Sequence, residues 1–178
     1  MRARGGYDER VTVRGYHFGV RYEPDPDAGP PWEDDGHGPV SGWRPVDSKR
    51  PGERELCRVH RSARFYDVEA AQARALAEGW NAPPYEVPGE TPRQRAARAV
   101  EANYQYIRDW CQDRWHYIGV IVEWIDGAGA LRDPDTTESL WRVEDSDPKY
   151  PREVARELID ECLARIEVDN PYVILSEN

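Results

Sequence analysis

Residues 115–125, Trp-His-Tyr-Ile-Gly-Val-Ile-Val-Glu-Trp-Ile, are the stretch that decides the fold. The segment is rich in β-branched and aromatic side chains, and it is apolar on both faces near its middle. This pattern is typical of a central strand that is covered on both sides. We therefore predict a β-sheet with this segment in its interior.

The residues that follow predict a hairpin and then a helix. Asp126-Gly127-Ala128-Gly129 has the composition of a turn, and residues 137–143 return as an antiparallel strand. A last helix begins near Pro151, with a buried face formed by Val154, Leu158, Cys162 and Ile166. The tail at Tyr172–Leu175 is predicted to add an edge strand, which is compatible with either a monomer or a dimer.

The first half of the chain shows a similar order. Residues 11–22 alternate like one strand, residues 23–53 form a long proline-rich loop, and residues 54–60, extended by Arg64-Phe65-Tyr66, form a second strand. A helix capped by Asp67 follows and ends at Gly79. Residues 80–90 form a linker, and a linking helix begins at Thr91-Pro92.

The predicted class is therefore α+β, an antiparallel sheet with helices on one face, in the order ββα, linking helix, ββα. We expect a flexible N-terminus over residues 1–10 and a single domain over 11–178. A chain of 178 residues is long enough for a real core. We expect no membrane span, since no apolar run approaches roughly 20 residues, and no secretory signal.

The net charge of −10 is concentrated in the C-terminal part. Residues 1–100 carry 16 basic and 16 acidic residues, whereas residues 101–178 carry 8 and 18. Such a field repels nucleic acid and attracts basic surfaces.

The three cysteines, Cys57, Cys111 and Cys162, are far apart in sequence. This spacing argues against a disulfide framework or a structural zinc site, and it predicts a cytoplasmic location.

One basic stretch, residues 44–64, runs against this trend. Basic residues next to aromatic ones can bind single-stranded nucleic acid. Internal pairing with the acidic C-terminal part is the alternative that we prefer, so we expect no direct binding of nucleic acid. The residues concerned are Arg44, Lys49, Arg50, Arg54, Arg58, Arg61 and Arg64.

The most distinctive segment of the long loop is residues 29–43, which overlaps an acidic loop at residues 25–37. Its carboxylates and one imidazole are the ligand types of a hard cation, and the candidates are Asp25, Asp27, Glu33, Asp34, Asp35 and His37. The other interpretation is a solvated acidic loop without metal. In either case we predict that residues 29–43 are ordered, anchored by Trp32 and Trp43, and present Asp34, Asp35 and His37 at the surface.

This loop also carries a resemblance. The chain resembles a family of uncharacterised proteins encoded by tailed phages and prophages. The segments that carry the resemblance are Gly29-Pro-Pro-Trp-Glu33, Asp35-Gly-His-Gly-Pro-Val-Ser41, Trp43, Lys49-Arg-Pro-Gly-Glu53, Arg64-Phe-Tyr-Asp67, Trp115-His-Tyr-Ile-Gly-Val120 and Glu138-Ser-Leu-Trp141. The resemblance implies a phage accessory protein made in a bacterial cytoplasm, and no activity.

Two functional hypotheses follow. In the first, a non-enzymatic protein without cofactor binds a basic surface of a host or phage nucleic-acid-handling protein, including components of host defence. Its contact residues would be Asp133, Asp135, Glu144, Asp145 and Asp147, together with Asp34, Asp35 and His37 of the loop. In the second, a small metal-dependent enzyme uses the loop at 25–37. No catalytic residue can be assigned from the sequence.

Overall fold

A computed structural model describes residues 6–169 and confirms the α+β class. The described segments contain two antiparallel sheets and three α-helices. The elements are β1 (Glu9–Val13), β2 (Tyr16–Pro24), β3 (Arg44–Pro45), β4 (Glu53–Val59), β5 (Ser62–Asp67), α1 (Val68–Glu78), α2 (Pro92–Cys111), β6 (Tyr117–Ile125), β7 (Glu138–Glu144) and α3 (Lys149–Asp169). The predicted tail strand at Tyr172–Leu175 lies outside the described residues.

The contacts within the chain divide it into two compact units. The terminal unit combines residues 1–28 with residues 116–178, and the central unit comprises residues 29–115. The names refer to positions along the chain. Each unit has one sheet and its own helices, so the strands form two sheets where we predicted one.

The terminal unit contains the four-stranded sheet, in the order β1-β2-β6-β7. As predicted, β6 is an inner strand, with β2 and β7 as antiparallel neighbours. The single strand predicted over residues 11–22 is wrong, because Arg14 and Gly15 adopt φ values of 50° and 82°. Two consecutive positive φ angles make the tight hairpin turn between β1 and β2. β1 begins at Glu9, within the segment predicted to be flexible.

Helix α3 supplies the other half of the core of the terminal unit. Its residues Val154, Leu158, Cys162 and Ile166 are buried, as predicted. They pack against Phe18 and a set of valines from the sheet, namely Val20, Val120, Val122 and Val143. Because these side chains are aliphatic or aromatic and almost wholly removed from water, the hydrophobic effect is the main stabilising term here.

The central unit contains the three-stranded sheet, in the order β3-β5-β4. Residues 54–66 form two strands instead of one extended strand, because the chain turns at His60, whose φ is 52°. Helix α1 begins at Asp67, whose side chain accepts a hydrogen bond from the backbone of Ala70, and it ends at Gly79. Helix α2 begins with a capping box between Thr91 and Gln94.

The two sheets are built from different parts of the chain. β2 pairs with β1 and β6 inside the terminal unit, whereas β4 pairs with β5 across a short turn inside the central unit. β1–β2, β4–β5 and β6–β7 are pairings between consecutive strands, whereas β2–β6 joins segments from opposite ends of the chain. The two halves of the predicted order therefore do not correspond to the two units, since β1 and β2 of the first half join the sheet of β6 and β7.

Candidate functional site: the tryptophan loop and the acidic helix face

The distinctive loop lies along strand β5 through its backbone. The N–H of Asp67 donates to the carbonyl of Pro39 at 3.0 Å, and the N–H of Ser41 donates to the carbonyl of Phe65 at 2.8 Å. The Ser41 hydroxyl accepts from the N–H of Phe65 at 2.9 Å. Residues 39–41 thus add to the edge of the sheet, immediately before β3 continues the same pairing.

Asn103 of α2 holds the turn of the loop at His37 and Gly38. Its Oδ1 accepts from the Gly38 N–H at 2.9 Å and from the Tyr66 hydroxyl at 2.8 Å. The other end of the same amide faces His37, with the Asn103 Nδ2 atom 2.7 Å from the His37 Nδ1 atom. Because Nδ2 is a donor, Nδ1 of His37 must act as the acceptor, which places the imidazole proton on Nε2.

Two further contacts hold His37 against the helices. Arg74 of α1 donates to the carbonyl of His37 at 3.0 Å. The imidazole is stacked on Tyr106 with ring centroids 5.4 Å apart and an interplanar angle of 5°. His37 is therefore half-buried and turned toward α2, whereas we expected it to be presented at the surface. Asp35 is exposed, and Asp34 is half-buried.

The two tryptophans of the loop are placed differently. Trp32 is half-buried and meets Trp110 of α2 edge-on, with centroids 5.2 Å apart. Trp43 is 46% exposed. The guanidinium of Arg64 lies between them, 5.2 Å from the Trp32 ring and 5.1 Å from the Trp43 ring. Arg64 also donates to the Ser41 carbonyl at 3.2 Å, so one side chain contacts three points of the loop.

Arg64 also neighbours two cysteines that sequence reasoning did not connect. Cys57 lies opposite Arg64 in the β4–β5 pairing, and its thiol interacts with that of Cys111 at the end of α2. Both cysteines are half-buried. No spacing in the sequence relates residues 57 and 111, because they meet only through the packing of α2 on β4.

The candidate metal ligands do not form a cluster. Asp25 accepts hydrogen bonds from the backbone N–H groups of Asp27, Ala28 and Arg142, so its carboxylate serves as a local cap. Asp25 and Asp27 belong to the terminal unit, whereas Glu33, Asp34, Asp35 and His37 belong to the central unit. Within residues 6–169, no three His, Cys, Asp or Glu side chains are grouped so that they could hold a metal ion.

Three arginines of the basic stretch at residues 44–64 pair with acids of the central unit. Arg44 pairs with Glu53 at 2.6 Å and Arg58 with Glu55 at 2.7 Å, both on β4, and Arg54 pairs with Glu101 of α2. Two of these acids are local, and Glu101 is the only one of the three from beyond residue 100. Internal pairing therefore accounts for three of the seven basic residues of the stretch, two of them through nearby acids.

The acidic residues singled out in the terminal unit have mixed environments. Asp133 and Asp147 each accept a hydrogen bond from a backbone N–H two residues further on, at 2.9 Å, and Asp147 thereby supports the start of α3. Asp145 accepts from the backbone N–H of His116. Glu144 is half-buried and Asp135 is exposed. Three of the five carboxylates are thus held by the backbone.

A second acidic surface lies on the outer face of α3. Glu153, Glu157, Asp160 and Glu161 are exposed. Two arginines of the helix are directed elsewhere, since Arg152 contacts Glu9 at 3.2 Å and Arg165 pairs with Glu138, whereas Arg156 is exposed beside Glu153 and Asp160. We call these four acids the acidic helix face. Sequence reasoning noted the charge of this region but did not identify the face, although a helical projection from Pro151 would have done so.

The terminal unit, which contains the acidic helix face, also carries most of the net negative charge. Residues 1–28 and 116–178 carry 20 acidic and 11 basic residues, a net of −9, whereas residues 29–115 carry 14 and 13, a net of −1.

In the described part of the chain, no helix combines the length and apolar character needed to cross a membrane. No protein-family model, no curated protein and no solved structure matches this chain.

Proposed function

We propose that the chain is a non-enzymatic accessory protein of a tailed phage or prophage. In the bacterial cytoplasm it binds a basic surface of a host or phage protein that handles nucleic acid, such as a component of host defence. The observation that carries the proposal is the acidic helix face of α3 in a unit with a net charge of −9. The resemblance of the loop supports the phage origin.

The arrangement of the face favours a charged partner. Glu153, Glu157 and Glu161 follow one another at intervals of four residues, which places them next to each other along the helix. Like charges at this spacing destabilise a helix by about 0.2–0.5 kcal/mol per pair. Among residues 6–169, the four carboxylates of the face form no ion pair that offsets this repulsion. A basic partner surface would convert the repulsion into attraction.

The five acids named from the sequence are placed in a supporting role. Asp133, Asp145 and Asp147 are fixed by backbone N–H groups, so they add to the negative field without being free to reach a partner. Asp135 is exposed at the turn that precedes β7. We therefore assign direct contact to the acidic helix face and long-range attraction to these residues, since attraction of this kind accelerates encounter more than it tightens binding.

Affinity purification from a bacterial lysate at low and high salt tests the proposal. The test variant is Glu157→Lys/Glu161→Lys, and the matched control is Asp47→Lys/Glu86→Lys, which changes the charge equally at exposed acids of the central unit. We expect the wild type and the control to retain a basic protein at low salt and to release it at high salt. We expect the test variant to retain no such protein at either salt concentration. Circular dichroism checks that α3 remains folded.

Equal retention by the test variant and the control would contradict the proposal, because the acidic helix face would then contribute no more to binding than acids elsewhere on the surface. Retention of a protein that resists high salt would also contradict it. If nucleic acid were retained in place of a protein, the acidic surface would have no role in binding, since like charges repel.

A further inference from the structure

The packing of α2 on β4 brings the thiols of Cys57 and Cys111 together. The pairing of β4 with β5 shifts register between Glu55 and Cys57, which leaves Leu56 as an extra residue on β4. Such a bulge re-aims the side chains beside it. As a result, both Leu56 and Cys57 contact the apolar cluster that α2 covers.

Helix α2 aligns Cys111 with this bulge. Tyr104, Ile107 and Cys111 follow at intervals of three and four residues, so they lie on one face of the helix. The hydroxyl of Tyr104 donates to the carbonyl of Glu55 at 2.7 Å, and Ile107 is fully buried. The same row of α2 therefore runs along β4 and ends with Cys111 against Cys57.

The surroundings of the two sulfurs favour a thiolate on Cys57. Hydrogen bonding with Cys111 lowers the pKa of Cys57 to about 7, and the guanidinium and backbone of Arg64 act in the same direction, against burial and the charge of Glu55. The pKa of Cys111 is raised by its hydrogen bond with Cys57, by burial, and by the charges of Cys57 and Asp113, while Arg64 opposes the shift. Near neutral pH a large fraction of Cys57 is thus thiolate, whereas Cys111 keeps its proton.

We propose that Cys57 and Cys111 form an oxidation site for hydroperoxides, in which Cys57 is the nucleophile and Cys111 completes an intramolecular disulfide. Both side chains are half-buried, so a small oxidant such as hydrogen peroxide reaches them. The pair lies beside Arg64, which contacts Trp32, Trp43 and the Ser41 carbonyl. This site is independent of the acidic helix face.

The reaction has two steps. The Cys57 thiolate attacks one oxygen of hydrogen peroxide; an S–O bond forms, the O–O bond breaks, and the hydroxide that leaves takes up a proton to become water. Cys111, deprotonated, then attacks the Cys57 sulfur, and the second hydroxide leaves as water. Two thiols are oxidised by two electrons, and one peroxide is reduced to two waters. The first step removes the charge of Cys57, one of the causes that raise the pKa of Cys111.

Peptide mass mapping of the native protein after treatment with hydrogen peroxide tests the disulfide. We expect a linked pair of peptides containing Cys57 and Cys111, and no oxidation of Cys162, which is buried and whose pKa is raised to about 11 by burial. In the Cys111→Ser variant, dimedone should trap a sulfenic acid on Cys57. In the Cys57→Ser variant no linked peptides should form, and Cys111 should be modified more slowly than Cys57 is in the wild type, because burial still raises its pKa.

A second measurement on the wild type keeps the proposal falsifiable if a variant does not fold. The rate of alkylation of Cys57 by iodoacetamide should be half-maximal near pH 7, whereas an ordinary cysteine gives about 8.5. At pH 7 we expect Cys162, which is buried and has a raised pKa, to stay essentially unalkylated while Cys57 reacts. Arg64→Gln should move the midpoint upward. An ordinary midpoint, or peroxide treatment that leaves Cys57 and Cys111 unlinked, would overturn the proposal.

Discussion

The terminal and central units are stabilised by different means. In the terminal unit, α3 covers the sheet with aliphatic side chains, and the buried set is almost entirely apolar. In the central unit, several buried helix residues are alanines, and the loop is held by the side chains of Asn103, Arg74 and Arg64. The comparison teaches that a unit with a small apolar core can order a long loop when polar side chains satisfy the loop backbone.

The largest expected effects come from core truncation, which tests whether the units are energetically distinct. Ile166 of the terminal unit and Ile107 of the central unit are both fully buried on a helix. We expect Ile166→Ala and Ile107→Ala each to lower the free energy of unfolding by about 2–5 kcal/mol. Urea denaturation measures the loss, and amide hydrogen exchange locates it.

We expect Ile166→Ala to accelerate exchange mainly in residues 6–28 and 116–169, and Ile107→Ala mainly in residues 29–115. Exchange that rises over the whole chain for both variants would mean that the two units unfold together. That outcome would favour the single cooperative domain that the sequence analysis predicts for residues 11–178.

The next effect concerns the polar anchor of the central unit. Asn103→Leu would leave the Gly38 N–H and the Tyr66 hydroxyl without their acceptor. Because unsatisfied donors away from water each cost about 1–3 kcal/mol, we expect the two donors to cost at least about 2 kcal/mol and the Gly38 amide to exchange faster. Gln105→Leu on the same helix is the control, since the half-buried Gln105 side chain donates to Glu101 and accepts from no donor of the loop. An equal loss in both variants would contradict the anchor.

A glycine in each unit sharpens the comparison further. A Cβ on Gly38 would overlap the Tyr66 ring and hydroxyl, and Tyr66 is fully buried. A Cβ on Gly119 would overlap Trp141, which is 42% exposed and is able to turn toward solvent. We expect Gly38→Ala to cost about 1–3 kcal/mol and Gly119→Ala less.

Thermal or urea unfolding of both variants measures this difference. Gly42→Ala is the control within the loop, because a Cβ there meets nothing within 4 Å. We expect that variant to be nearly neutral. If Gly38→Ala were as well tolerated as Gly42→Ala, the loop would not be held as closely against Tyr66 as the contacts with Asn103 require.

The terminal unit is the part that sequence patterns predict better. The composition of residues 115–125 predicts an inner strand, and the structure confirms it. The helical spacing of apolar residues predicts the buried face of α3, which the structure also confirms at Val154, Leu158, Cys162 and Ile166. The turn at Arg14–Gly15 was missed because apolar and polar residues alternate through both β1 and β2, so the pattern continues across the turn. Only the positive φ angles distinguish two strands from one.

The central unit shows where such reasoning ends. The caps at Asp67 and Thr91 are local signals, and both helices begin there. In contrast, His37 meets Asn103 from 66 positions away, and Cys57 meets Cys111 through a β-bulge. Neither contact has a local pattern, because it depends on how helices pack on strands. The composition of the loop singles out Trp32 and Trp43, whereas no sequence pattern indicates that Asn103 holds the loop.

The smallest expected effect is a pH dependence in the central unit. Hydrogen bonding with Arg54, and secondarily with Gln105, lowers the pKa of Glu101. A carboxyl whose pKa is lower in the folded than in the unfolded protein stabilises at neutral pH, and this contribution disappears as the pH falls below the ordinary glutamate value of about 4.3 through the folded-state pKa. Since the Glu101 side chain is 53% exposed, solvent screening limits the contribution to a few tenths of a kcal/mol.

Urea denaturation of the wild type and Glu101→Gln across this pH range measures the contribution. We expect the wild type to be slightly more stable at pH 7 and the difference to vanish in acid. Glu157→Gln on the acidic helix face is the matched control in the terminal unit, and we expect it to be neutral or slightly stabilising at pH 7, because it removes repulsion between like charges. If Glu157→Gln destabilised the protein as much as Glu101→Gln, the acidic helix face would be paired within the chain, and the contrast between a compensated central unit and an uncompensated terminal unit would fail.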